Sequence, residues 1–185
     1  IIFSGNRTIK VALIAMASSV VNVNKRNGRE IELHITGVRG EFFEGKPEIQ
    51  AEIGKTIILH DWMTYNELQL LYRKMDFILL AREINQITLA NFPSKIPEAL
   101  AYGVIPIVSR VGDYTEFYLE DGKNSIIFEG ATTIACEEAL QRALSMNVEE
   151  IEIMSKEARI LAEKCFDYHV WSKQIEEHIY TGLHY

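Results

Sequence analysis

Asn91-Phe92-Pro93-Ser94-Lys95-Ile96-Pro97-Glu98-Ala99-Leu100-Ala101-Tyr102-Gly103-Val104-Ile105-Pro106-Ile107-Val108 carries a loop, a short helix and a strand in direct succession. Ser94 stands where a helix cap belongs, and Pro97 is tolerated in a first turn. Gly103 stops the helix after Tyr102. Residues 104–108 then read as a strand.

The alternation continues on both sides. Residues 1–3 form a short apolar strand ended by Ser4-Gly5-Asn6, and Leu13, Met16, Ala17, Val20 and Val21 recur at helical spacing. Ile31, Leu33 and Ile35 alternate with polar residues as a strand does, and residues 56–59 form another. Thr64 with Glu67 makes a capping box for a helix through Leu68, Leu71 and Tyr72. Residues 77–80 are an unbroken apolar run, fit for a strand covered on both faces. Asp113 with Glu116 resembles a second capping pair ahead of a strand at 125–128. From Thr133 the chain reads as helical, with Asn147 and Glu150 capping one helix and Asp167 the last.

Strands alternating with helices predict an α/β fold with a mainly parallel sheet of about six strands and helices on both faces. The 185 residues suit one domain. Ligands of such sheets sit beyond the carboxyl ends of the strands, at the point where the strand order reverses. The loops at 4–10, 60–63, 81–95 and 109–113 are therefore the places to look.

Composition narrows the chemistry. The chain is 48% hydrophobic and 24% charged, with a net charge of −7. That balance argues against a nucleic-acid partner, which requires many phosphate contacts. An anionic ligand would be met by a local cluster of donors. Cys136 and Cys165 match no metal spacing. His34, His60, His169, His178 and His184 show none either, so no metal site is expected. No apolar run is long enough to span a bilayer. The strand that opens the chain without a Met suggests a piece of a longer protein.

Ser94 and Lys95 at a helix start present backbone N–H groups and a positive dipole end, which favour phosphate. Glu98 lies just inside, where a carboxylate accepts hydrogen bonds from a ribose diol. The structural alternative is that Ser94 only caps the helix and Glu98 only complements its dipole. Arg7 and Lys10 beside Gly5 suit a diphosphate, Arg as a planar fork and Lys as a point charge. Trp62 either packs on a nucleobase or seats the helix that follows it.

These stretches resemble the retaining glycosyltransferases of group 1, or family 4, which have two facing Rossmann-like domains in the GT-B fold. The resemblance rests on Phe92-Pro93, Glu98-Ala99-Leu100-Ala101, Gly103, Ile105-Pro106-Ile107-Val108 and Val111-Gly112-Asp113. Glu116, Asp121-Gly122-Lys123-Asn124-Ser125, Phe3-Ser4-Gly5 with Arg7 and Lys10, and Leu59-His60-Asp61-Trp62-Met63-Thr64 extend it. The Trp171 helix matches the family's C-terminal segment. The chain departs from the family at Ala90, where a first glutamate is common, and at Val11, Asp61 and Asp113, where glycine is frequent.

The resemblance implies that residues 1–185 are the donor-binding half of such an enzyme, with the N-terminal acceptor domain as its partner on the same full-length chain. It implies a nucleoside diphosphate sugar of UDP or GDP type as donor and no resident metal or other cofactor. Arg7 and Lys10 would stabilise the leaving diphosphate. Gly5, Trp62, Met63, Asn91, Phe92, Ser94, Lys95 and Glu98 would bind the donor. Transfer would proceed with retention, to a glycan or lipid-linked acceptor of bacterial polysaccharide or lipopolysaccharide synthesis. The setting implied is the cytoplasm, including the inner face of the membrane. Two other classes share the pattern: half of a nucleotide-sugar epimerase or phosphorylase, and a non-catalytic domain that keeps the fold.

Overall fold

A computed structural model describes residues 1–4, 10–27 and 31–182. Six strands form a single sheet: β1 Ile2–Ser4, β2 Leu33–Thr36, β3 Ile57–His60, β4 Phe77–Leu80, β5 Ile105–Ser109 and β6 Ile126–Phe128. Their order is β3-β2-β1-β4-β5-β6, and every neighbouring pair is parallel. The chain first builds outward from β1 to one edge, then crosses back to lay β4 on the other flank of β1. Expected and observed strands differ by a residue or two at their ends, and the run at 77–80 coincides with β4.

Eight α-helices complete the layers among the described residues. They are α1 Lys10–Arg26, α2 Pro47–Gln50, α3 Tyr65–Tyr72, α4 Gln86–Ala90, α5 Lys95–Leu100, α6 Thr133–Ser145, α7 Val148–Cys165 and α8 Tyr168–Gly182. Right-handed crossovers set the side each helix takes. On one face α1 packs between α2 and α6; on the other α5 packs on β5 and α7. The core lies between, with Leu13, Met16 and Val20 of α1 buried together with Phe3, Leu33, Ile35 and Leu79 of the sheet. Each such side chain contributes about 1.5–3 kcal/mol by leaving water.

A polar tie locks α1 to α6. The Glu137 carboxylate, almost buried, accepts from Asn22 Nδ2 at 2.7 Å and from Arg26 Nη1 at 2.7 Å. Glu137 therefore has opposite charge and a neutral donor at once, which is what a carboxylate needs to sit inside.

Three local expectations are corrected. Ser94 does not cap α5 with its hydroxyl, and α5 ends at Leu100 rather than Tyr102. A capping oxygen bonds the amide of the second or third helical residue. Here the second, Ile96, already donates to Pro93 O at 3.0 Å, and the third is Pro97, which has no N–H. Asp113 fails for a related reason, since the Thr115 amide donates to Gly112 O and a π-helical turn, Tyr114–Tyr118, follows instead. The loop at 81–95 contains α4, opened by a reciprocal Asn85–Thr88 capping pair. A 3-10 turn, Gly40–Phe43, and α2 were likewise unforeseen. The capping boxes at Thr64–Glu67 and Asn147–Glu150 form as the sequence indicates.

Candidate functional site

Strand order reverses between β1 and β4, so the crevice for a ligand opens beyond Ser4 and Leu80. Gly5 and Arg7 lie outside the described residues. Lys10 is the first residue of α1, and its side chain is likewise not described. The backbone thus brings the end of β1, the start of α1 and the segment after β4 to one edge of the sheet.

The segment after β4 is built around Arg82, which is 7% exposed. Its Nη1 donates to Asn91 O at 3.2 Å and its Nη2 to Asn91 Oδ1 at 3.1 Å. Its backbone is held as well: the Arg82 amide donates to Ser109 Oγ at 2.7 Å, and that hydroxyl donates to Arg82 O at 3.0 Å. The two strand ends β4 and β5 are stitched together, and residue 91 is pulled back onto residue 82. Tyr114 is adjacent. Burial pushes its phenol up to about 12, and the charge and hydrogen bond of Arg82 act against that rise.

Phe92 stands at the centre of an aromatic cluster. Its ring is edge-on to Tyr114 at 6.1 Å and to Tyr118 at 5.7 Å, and tilted against Phe166 at 5.8 Å. These contacts tie the loop to the π-helical turn and to the end of α7. Gly112 adds a backbone contact: with φ at +72°, a Cβ there would lie 3.1 Å from Thr88 O of α4. Only glycine fits both that dihedral and that approach.

Asn91, Phe92, Ser94, Lys95 and Glu98 therefore share one short, anchored segment. Ser94 is exposed, and Glu98 is half-buried. The Glu98 carboxylate makes no hydrogen bond or ion pair with any described residue. Among the described residues its acceptor capacity is thus left open.

Glu98 lines a groove of about 430 Å³ between α3, α5 and the end of α7, which Tyr65, Tyr72, Tyr102 and Phe166 also line. Trp62 and Met63 precede α3, whose first residue is Tyr65, and neither lines the groove. Met63 packs on the core, while Trp62 is 92% exposed. The indole thus seats no helix.

Four participants escaped the sequence reading: Arg82, Tyr114, Tyr118 and Phe166. The aromatic spacing at 114 and 118 was visible, but the contacts that unite these residues are long-range. His34 and His60 do meet, Nδ1 to Nε2 at 2.9 Å across β2 and β3. Burial lowers the His34 pKa, with its Glu32 hydrogen bond opposing. Among the described residues no three His, Cys, Asp or Glu side chains gather as metal ligands, and no helix is long and apolar enough to cross a membrane.

The sequence profile of a family described as "Glycosyl transferases group 1" matches residues 1–146. No curated protein matches the chain. Among solved structures, the pneumococcal O-GlcNAc transferase GtfA, in complex with UDP and GlcNAc, superposes with a TM-score of 0.74 at 17% identity. All of this chain is covered there, but only 36% of GtfA. Anabaena Alr3699/HepE, in complex with UDP and glucose, gives 0.69 at 12% identity over 89% of this chain and 44% of that one. The C-terminal domain of LpcC, a group 1 family protein from Francisella tularensis, gives 0.65 at 17% identity over 89% of this chain and 84% of that one. At such identities these likenesses speak for the fold. The chain spans about a third of the length of GtfA. The profile, running from the first strand through α6, covers most of the sequence, and the chain belongs to the group 1 glycosyl transferases.

Proposed function

We propose that this chain binds the nucleoside diphosphate sugar of a GT-B glycosyltransferase and that a partner domain on the full-length protein supplies the acceptor. One observation supports the reading: the strand order brings the end of β1, the start of α1 and the segment after β4 to one side of the sheet, and Glu98 in that segment is half-buried with no hydrogen bond or ion pair to any described residue. Family membership, and the UDP complexes of GtfA and HepE, support a nucleotide donor.

The chemistry follows from charge. As the glycosidic bond to the diphosphate breaks, negative charge grows on the departing oxygens. Arg7, Lys10 and the backbone amides at Ser94-Lys95 would stabilise that charge more in the transition state than in the ground state. The proposal gives this task to protein cations and amides rather than to a resident metal ion. Glu98 would accept from the ribose diol, Trp62 and Met63 would flank the base, and Asn91 and Phe92 would hold the loop around the donor. Retention at the anomeric carbon and a UDP or GDP donor complete the proposal.

Thermal unfolding of the chain with millimolar UDP, GDP or ADP tests it. A ligand at one hundred times its Kd adds about 2.7 kcal/mol, enough to raise the Tm by several degrees. A rise with UDP or GDP is the expected result. No rise with any of the three would leave a domain that has the fold without the ligand.

A further inference from the structure

Arg82 is buried to more than nine-tenths, yet among the described residues no carboxylate lies within ion-pairing distance of it. Its partners among the described residues are neutral: the carbonyl and the side-chain oxygen of Asn91, and the phenol of Tyr114. An arginine stays charged at any pH a protein tolerates. Burying that charge without a counter-charge is costly, and the other buried charged side chain among the described residues avoids the cost: Glu137 has Arg26. Arg82 follows β4 by two residues, so its uncompensated charge sits at the reversal between β1 and β4.

We propose that Arg82 is a positioning residue for the donor's diphosphate, its guanidinium fork holding Asn91 in place while its unpaired charge draws the anion into the crevice between β1 and β4. This rests on the donor reading above. The two parts are joined by geometry: the fork fixes the segment leading to Ser94, Lys95 and Glu98, and the same cation is left for the ligand to neutralise. The charge acts without touching the phosphates, through an interior where fields are weakly screened.

The test compares UDP with uridine, which offers the same base and ribose without the diphosphate. Affinities are measured by calorimetry on the wild-type full-length protein, Arg82→Gln and Arg82→Lys. For Arg82→Gln the expected result is a loss of UDP affinity about tenfold or more greater than the loss for uridine, which feels only the missing fork, as removal of a charge acting on an anion requires. Arg82→Lys, which keeps the charge and gives up the fork, is expected to hold more UDP affinity than Arg82→Gln and the wild-type preference for UDP over uridine. Equal losses for the two ligands would make Arg82 a loop clasp only and overturn the proposal. So would unchanged UDP affinity in Arg82→Gln.

If Arg82→Gln does not fold, Arg82→Lys decides: a kept preference supports the proposal, and a lost one overturns it. Wild-type protein that binds neither ligand would overturn the donor reading and this inference together. Wild-type binding with an indifferent Arg82→Gln would overturn this inference alone.

Discussion

Just past the C-terminal end of α5, Ala101 O accepts from Arg159 Nη1 and Gly103 O accepts from Ser155 Oγ, so the carbonyls that follow the helix are bonded by α7. At its N-terminal end the same helix has an uncapped Ser94, a half-buried Glu98 with no partner among the described residues, and a loop held by Arg82 and by the Phe92 cluster. One end is closed by the protein's own groups. The other has its loop anchored, while Glu98 there has no bond to any described residue. The difference teaches where stability and binding reside: a group bonded internally carries fold, and a held but unbonded group is available to a ligand.

Changes at the closed end should therefore cost stability and spare binding. Gly103 has φ at +72°, and a Cβ there would come 2.7 Å from Ser155 Oγ. Gly103→Ala combines a left-handed dihedral with displacement of the Ser155 hydroxyl, an expected loss of about 2 kcal/mol. Chemical denaturation reads that loss, and UDP affinity of the folded variant should match wild type. A variant as stable as wild type would mean that α7 does not secure α5.

The open end should show the reverse. Glu98→Gln keeps the shape and removes the charge of an acceptor that bonds nothing inside the described chain. Nucleotide affinity is expected to fall about tenfold or more, about 1.4 kcal/mol, with the denaturation midpoint unchanged. Unaltered affinity would reduce Glu98 to a helix-end charge.

The same contrast governs what the sequence made legible. The sheet was readable because its signal is local: residues 77–80 are apolar at every position, and β4 is buried at every position. The segment 91–108 announced its loop, helix and strand in order. α4 was hidden because its capping pair uses Asn85 with Thr88 instead of an acidic third residue. Arg82 was hidden more deeply. Nothing near it in sequence predicts burial, which arises from Ser109 on β5, Asn91 nine residues on and Tyr114 in a π-helical turn. Ser94 and Asp113 were legible as capping residues and wrong as such, because an upstream carbonyl had already taken the amide each would need. A capping pattern states only that a side chain is able to bond, not that a donor remains for it.

The smallest expected effect separates Thr64 from Ser94. At α3 the Thr64 hydroxyl accepts from the Glu67 amide at 3.3 Å, while Glu67 Oε2 accepts from the Thr64 amide at 2.7 Å. Thr64→Ala should cost about 1 kcal/mol. Ser94→Ala, with no cap to lose, should cost less than about 0.5 kcal/mol. Acid sharpens the pair. Hydrogen bonds from the Thr64 backbone and then its side chain hold the Glu67 carboxyl below its ordinary value of 4.5. A carboxyl lowered in the folded state contributes stability that is fully present above the unfolded value and is lost as pH falls through the folded one. The gap between wild type and Thr64→Ala should accordingly narrow as pH drops below 4.5. No such narrowing is expected for Ser94→Ala, whose hydroxyl serves no carboxylate cap. Equal stability losses for the two variants at neutral pH would show that the two helix starts are alike and that Ser94 caps α5 after all.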